Sequence, residues 1–442
     1  MHNAEMEAFS LRFAAQKGMV FNMPSKDALV IGDLAKKYME HCRSDRNSKL
    51  KDIWIKHNNK ERTQPLILYG GADMYNTMYI TGSDDLVIND IIDEKLICET
   101  PLARSIEKTL RWKHYLISIE DDTVFDPYLL YKAVREPSDN NRWGIPCSLG
   151  EKASATGASC FAPSIHDESD LEKLYTSPHK IDYDATEKLG VQYQELLGDA
   201  LPAYPDTRAA LLRWTGDIST DFAKLIGLEQ LYNDFYDRPE FLHKLLAKMR
   251  DAILQNNHEW EASGDCRTSA NFNQAIPYSD AVKLPENYEA CRREDLWAFF
   301  SAQEFTSTST AMFEEFCLNY QLPIMEKFGL IAYGCCENMT NKITSLRRIK
   351  NLRRISVTPF SNAENCIEQI GTDYLISYRP NPATMVAFGV DEDLIRKELS
   401  VPLAALKSNN SCYDINLKDV HTVSGSKTAL IDWVLLMRKI LS

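Results

Sequence analysis

Apolar positions fall into two regimes along the chain. In residues 1–135 charge is dense, and the apolar spacing is helical, most clearly over 28–43 and 102–112. One extended segment, 65–69, ends in Gly70-Gly71. From about residue 140, short apolar runs alternate with longer amphipathic stretches. The runs predict strands at 143–149, 210–214, 269–273, 296–302, 330–334, 354–358, 374–377 and 412–417. The stretches between them predict helices at 221–234, 240–261, 312–328, 340–349, 363–370, 392–406 and 428–441.

Strands alternating with helices imply a parallel sheet, because parallel neighbours need crossovers. Eight such strands suit an α/β fold closed into a (β/α)8 TIM barrel, with an open doubly wound sheet as the rival. The expected organisation is a mostly helical N-terminal cap extension, 1–135, packed on a barrel formed by 136–442. Punctuation fits the helices. Ser309 and Thr310 are positioned to cap 312–328, with Gly329 after it. Asp237 is placed to cap a helix that has Pro239 in its first turn.

Composition narrows the function classes. The 442 residues hold 50 Lys+Arg against 63 Asp+Glu, a net charge of -13, and are 44% hydrophobic. Such a chain can bury a core, and its acid excess argues against a nucleic-acid partner. No apolar run approaches the roughly 20 residues that span a bilayer, and the start has no secretory pattern. The expectation is a cytoplasmic protein with a small-molecule substrate and no membrane. The 11 cysteines are too sparse for a disulfide scaffold, so most thiols should be buried and inert.

In a barrel, chemistry sits where strands end, so the polar residues there are the candidates. The run 330–334 leads into Tyr333-Gly334-Cys335-Cys336-Glu337. Thiolates and a carboxylate suit zinc, which makes Cys335, Cys336 and Glu337 candidate ligands. On a strand, neighbours alternate, so only one sulfur should face inward; the alternative is a pair of small buried hydrophobes. The run 296–302 leads into Gln303 and Glu304, the latter a candidate general acid or base or an exposed loop carboxylate. Asn273, Gln303 and Tyr333 could orient a polar substrate. Arg379, beside Asn381 between two prolines, could hold a carboxylate or phosphate. Lys418-Asp419-Val420-His421 completes the set: Lys418 as a substrate contact opposite Asp419, and either Asp419 fixing the tautomer of a catalytic His421 or His421 acting as a metal ligand. Glu120-Asp121-Asp122 reads as a solvated acidic triplet, and the basic tract 347–354 lacks the interleaved aromatics of a nucleic-acid site.

Several ordered motifs carry a resemblance. They are Ala302-Gln303-Glu304-Phe305-Thr306, Met312-Phe313-Glu314-Glu315-Phe316, Tyr333-Gly334-Cys335-Cys336-Glu337, Asn351-Leu352-Arg353-Arg354-Ile355-Ser356-Val357 and Pro380-Asn381-Pro382-Ala383. With them the chain resembles the uroporphyrinogen decarboxylase superfamily over roughly 150–440, in a decarboxylase-like branch of methyltransferases. The resemblance implies a barrel with its pocket at the strand ends. It also implies one of two chemistries: metal-free decarboxylation, or zinc-assisted methyl transfer with a corrinoid carried by a separate partner protein. A homodimer is an open option. The decarboxylases' Arg-Gln-Ala-Gly-Arg loop is absent, and Asn416-Leu417-Lys418-Asp419 replaces their Asn-Leu-Gly-His. Where the methyltransferases carry His-x-Cys, Gly334 stands at the His position and Cys336 at the Cys position. The expected function is corrinoid-linked, zinc-assisted demethylation of a small methoxylated or methylated compound. A metal-free lyase or a non-catalytic binding barrel are the alternatives.

Overall fold

The computed structural model describes residues 25–70, 91–92, 96–135, 142–152, 159–212 and 216–442. Its described strands are β1 Leu66–Tyr69, β2 Leu129–Lys132, β3 Ser148–Lys152, β4 Ser159–Ala162, β5 Ala203–Asp206, β6 Trp297–Phe300, β7 Leu330–Tyr333, β8 Leu352–Val357, β9 Leu375–Tyr378 and β10 Tyr413–Leu417. Six of them form one sheet in the order β1-β10-β9-β8-β7-β6, with every pair parallel. A parallel β2–β5 pair and an antiparallel β3–β4 hairpin stand apart. The architecture is thus mixed α/β around a parallel sheet.

Five of the eight predicted runs are strands of this sheet, and the segment 65–69 supplies the sixth as β1. That strand lies within 1–135, yet it pairs with β10 along its whole length. Three runs differ. Only the end of 143–149 enters a strand, β3. In 210–214 the described residues are not a strand. In 269–273 the chain makes a 3-10 turn, Thr268–Ala270, and Asn271 reaches β6 with its side chain, Oδ1 accepting from Trp297 N at 2.8 Å.

The helices form where apolar spacing and caps agree. Lys26–Cys42 is capped by the Ser25 hydroxyl and buries Ile31, Ala35, Tyr38, Met39 and Cys42 on one stripe. Pro101–Ile119 is capped by Thr100 and packs against it. Gly227, at φ 87°, divides the predicted helix 221–234 into Ser219–Ile226 and Leu228–Asp237. Asp237 ends that second helix instead of capping Pro239–Ala262. The stretch 312–328 is Thr310–Phe313, a π turn Glu314–Leu318, and Asn319–Met325. Ser309 caps it as expected, through Met312 N. Gly329 does not cap it; a Cβ there would collide with the Glu294 carbonyl. No described helix is long and apolar enough to cross a membrane.

The two faces of the sheet differ in polarity. Ile355, Val357, Ile376, Tyr378, Ile415 and Leu417 point to the face that joins the main apolar core. The alternate positions are polar and buried: Arg354, Ser356 and Thr358 on β8 and its end, Ser377 and Arg379 on β9 and its end, Asp414, Asn416 and Lys418 on β10 and its end. At the amino end of this column the Asp414 carboxylate is bonded by Arg354 Nη1, by Ser377 Oγ at 2.8 Å and by His57 Nε2 at 3.4 Å. Asn58 joins through Arg354 Nη2 at 2.7 Å. Burial opposes ionisation of Asp414, but the Arg354 charge and these hydrogen bonds more than offset it and hold the carboxyl at about 2. The acidic triplet is not simply solvated. The Asp122 and Asp121 carboxylates accept from Ile67 N and Tyr69 N, each at 2.7 Å, closing the outer edge of β1, and Arg438 pairs with Asp122.

Candidate functional site

The carboxyl ends of β7 and β10 bring the candidate residues together. Gly334, at φ 100°, turns the chain out of strand geometry directly after β7. Alternation stops there, so the two sulfurs share a side: Cys335 Sγ and Cys336 Sγ lie 3.5 Å apart. Glu337 locks this turn. Its Oε2 accepts from Cys335 N at 2.7 Å and its Oε1 from Ala302 N at 2.8 Å, tying the β7 end to the β6 end. Glu337 is thereby committed to backbone rather than presented as a ligand.

From β10, the Lys418 ammonium sits 3.2 Å from Cys335 Sγ, 3.5 Å from Cys336 Sγ and 2.8 Å from Asp419 Oδ2. Asp419 leaves the strand at φ 58°, which lets it pair with its neighbour Lys418 instead of opposing it. Its carboxylate also takes the Cys336 thiol at 3.3 Å. Burial pushes the Cys335 thiol up, but its hydrogen bond with Cys336 and the charges of Lys418 and Arg379 outweigh that and bring it below an ordinary cysteine. The Cys336 thiol is raised, first by its hydrogen-bonding contact with the Cys335 sulfur and then by burial. Asp419 is lowered: burial opposes ionisation, and the Lys418 charge and hydrogen bond prevail. The group is a sulfur whose ionised form an ammonium favours, with a second thiol and a carboxylate beside it.

Arg379 and three amides surround this group. Arg379 is buried and donates Nη1 to the Cys335 carbonyl at 2.9 Å; Nε and Nη2 have no partner among the described residues. Gln274, at φ 57°, points Nε2 at Cys335 Sγ, 3.6 Å away. Asn416 donates to the Gln274 carbonyl at 2.7 Å. Asn273 Oδ1 accepts from Ala275 N at 2.9 Å. Gln274 Oε1, Asn416 Oδ1 and Asn273 Nδ2 find no partner among the described residues. Gln274 and Asn416 were not among the predicted site residues. Their signal was present in part, since an Asn within the apolar run of β10 is out of place unless something uses it.

Among the described residues, the other predicted ones make no hydrogen bond to this group. His421 is exposed to solvent, and Asp419 bonds Lys418 and Cys336 rather than fixing a His421 tautomer. Glu304 is mostly buried among acids: burial raises its carboxyl, the nearby Glu337 adds to this, and Oε2 has no partner among the described residues. Asp217, bonded by the Ser301 hydroxyl at 2.6 Å, is pushed up by burial beside it. Tyr333 is buried, its hydroxyl donating to Gln321 at 2.7 Å. Asn381 caps the short helix Pro382–Met385 through Ala383 N. Gln303 is half-buried at the start of a 3-10 turn. Arg354 of the basic tract is internal, and Arg347 and Arg348 bond Asp373 and Asn319. Gly71, which follows the segment 65–69 and Gly70, lies outside the described residues.

Zinc fits this arrangement poorly. The Lys418 ammonium already stands against both sulfurs and Asp419, Glu337 is spent on backbone N–H groups, and His421 is exposed to solvent. Among the described residues no group of three His, Cys, Asp or Glu side chains is arranged to hold a metal ion.

No model of a known protein family and no curated protein matches the chain. Among solved structures it is similar to a methyltransferase from Methanosarcina mazei, at 11% identity over 89% of this chain and 99% of that one, with a TM-score of 0.48.

Proposed function

We propose that the chain is a methyltransferase of the uroporphyrinogen decarboxylase type, with the parallel sheet as the larger part of a (β/α)8 barrel, and that Cys335 is its methyl-accepting nucleophile. One observation carries this reading: the Lys418 ammonium stands 3.2 Å from the Cys335 sulfur at the strand ends, where its charge favours the thiolate over the thiol. A thiolate is a strong nucleophile toward carbon. Decarboxylation needs an electron sink and a proton, not a nucleophile, so the pair favours transfer over the lyase alternative.

In the proposed step the sulfur of Cys335 attacks the methyl carbon of a small methylated or methoxylated compound. The bond from methyl to its heteroatom breaks, and the heteroatom keeps the electron pair and takes a proton from Lys418. Cys335 is left as a methyl thioether. The methyl group then needs an acceptor, for which the resemblance supplies a corrinoid carried by a separate protein. No part of the step is assigned to zinc. Lys418 and Arg379 supply the positive charge that a metal would bring to the leaving atom.

The test uses a panel of small compounds with 13C-labelled methoxy or methylamino groups. Demethylated product with the label on the Cys335 peptide, both lost in Cys335→Ser, is the expected result. Release of carbon dioxide without methyl transfer would establish the lyase reading instead.

A further inference from the structure

The free edge of Arg379 has a geometry that names a ligand. Its Nη1 is spent on the Cys335 carbonyl, while Nε and Nη2 are buried without a partner among the described residues. Those two nitrogens form one side of the guanidinium plane, with parallel N–H bonds spaced for the two oxygens of a carboxylate. Unpaired donors of this kind cost stability when buried unless something binds them. The charges beside this edge also limit what can bind. Lys418 and Arg379 are set against the carboxylates of Asp419 and Glu337, so a monoanion suits the site better than a doubly charged phosphate.

We propose that the substrate of this site is a small carboxylic acid, its carboxylate held bidentately by Nε and Nη2 of Arg379 and its reacting carbon turned toward Cys335. This rests on the reading of Cys335 as the nucleophile and adds the chemical class of the molecule it acts on. Asn273 Nδ2 offers the bound acid a further donor, and Gln274 Oε1 and Asn416 Oδ1 offer acceptors for a hydroxyl or amine elsewhere on it.

Two alkylating reagents separate the possibilities. Iodoacetate and iodoacetamide share a leaving group and a reacting carbon and differ in the carboxylate. The alkylation rate of Cys335 is followed by peptide mass spectrometry, and the ratio of the two rates cancels the thiolate fraction. Iodoacetate should be the faster reagent at Cys335, against the order shown by glutathione. In Arg379→Gln the ratio should fall roughly tenfold or more, the size expected for a charge-assisted bond, with Arg379→Lys between the two. A ratio equal to that of glutathione, or one unchanged in Arg379→Gln, overturns the proposal while leaving the nucleophile intact. Protection by inorganic phosphate equal to that by methoxyacetate overturns the carboxylate assignment. If neither reagent labels Cys335, the nucleophile itself is wrong, and calorimetric titration of methoxyacetate against methoxyacetamide decides the role of Arg379 alone: tighter binding of the acid that is lost in Arg379→Gln sustains it, and equal binding ends it.

Discussion

The ammonium of Lys418 lies 3.2 Å from the sulfur of Cys335, although the two residues come from strands separated in the sheet by β8 and β9. Contact across that gap requires the sheet to curve and bring the ends of β7 and β10 together. Removing the charge should release the thiolate. In Lys418→Met, the pH midpoint for alkylation of Cys335 by iodoacetamide should rise toward the ordinary cysteine value of about 8.5. A midpoint that does not move would show that Lys418 does not hold the sulfur.

Glu337 should matter for geometry rather than as a ligand. Its two oxygens fasten Ala302 N and Cys335 N. Glu337→Gln turns one acceptor into a donor facing a donor. A loss of about 1–3 kcal/mol in urea denaturation is expected, together with loss of the fast-reacting Cys335 thiol.

Gly334→Ala should be costly in a way its size does not suggest. The backbone there has φ 100°, and a side chain in such a conformation costs on the order of 1–3 kcal/mol. Gly334→His, which restores the methyltransferase pattern, should be at least as destabilising and should not create a zinc site. Thermal melting and metal content measure both effects.

The ion pair of Arg354 and Asp414 should dominate the acid response of the sheet. Asp414 is held at about 2, below its unfolded value, so its contribution is complete above roughly pH 4 and is lost as pH falls toward 2. Arg354→Met leaves a buried carboxylate unpaired and should cost about 3–5 kcal/mol. The double variant Arg354→Met with Asp414→Leu should recover much of that loss and flatten the stability profile between pH 4 and pH 2. Chemical denaturation across that range checks both.

Chelation should leave the protein unaffected. The cation at the sulfurs is an ammonium from the chain itself, so dialysis against EDTA should change neither Cys335 reactivity nor turnover. Stoichiometric zinc in the purified protein, with activity lost on its removal, would refute the metal-free reading.

The sequence determined local matters. Apolar runs at 330–334, 354–358, 374–377 and 412–417 become β7 to β10, because a strand buried on one face must be apolar there whatever it packs against. The helices with a strong apolar stripe, such as Pro239–Ala262 and Glu392–Ser408, follow for the same reason. Cys335, Cys336, Arg379, Lys418 and Asp419 were also legible, since each stands just past a strand end, where the fold concentrates polar groups. Tertiary structure decided how they combine. Alternation predicted one inward sulfur and a Lys418 opposed to Asp419, yet the positive φ angles of Gly334 and Asp419 end the strand period and turn each pair to one side. His421 and Glu304 were indistinguishable in the sequence from the residues that converge. Which side chains meet depends on where separate strands end in space, and hydrophobic spacing along one chain carries no information about that distance.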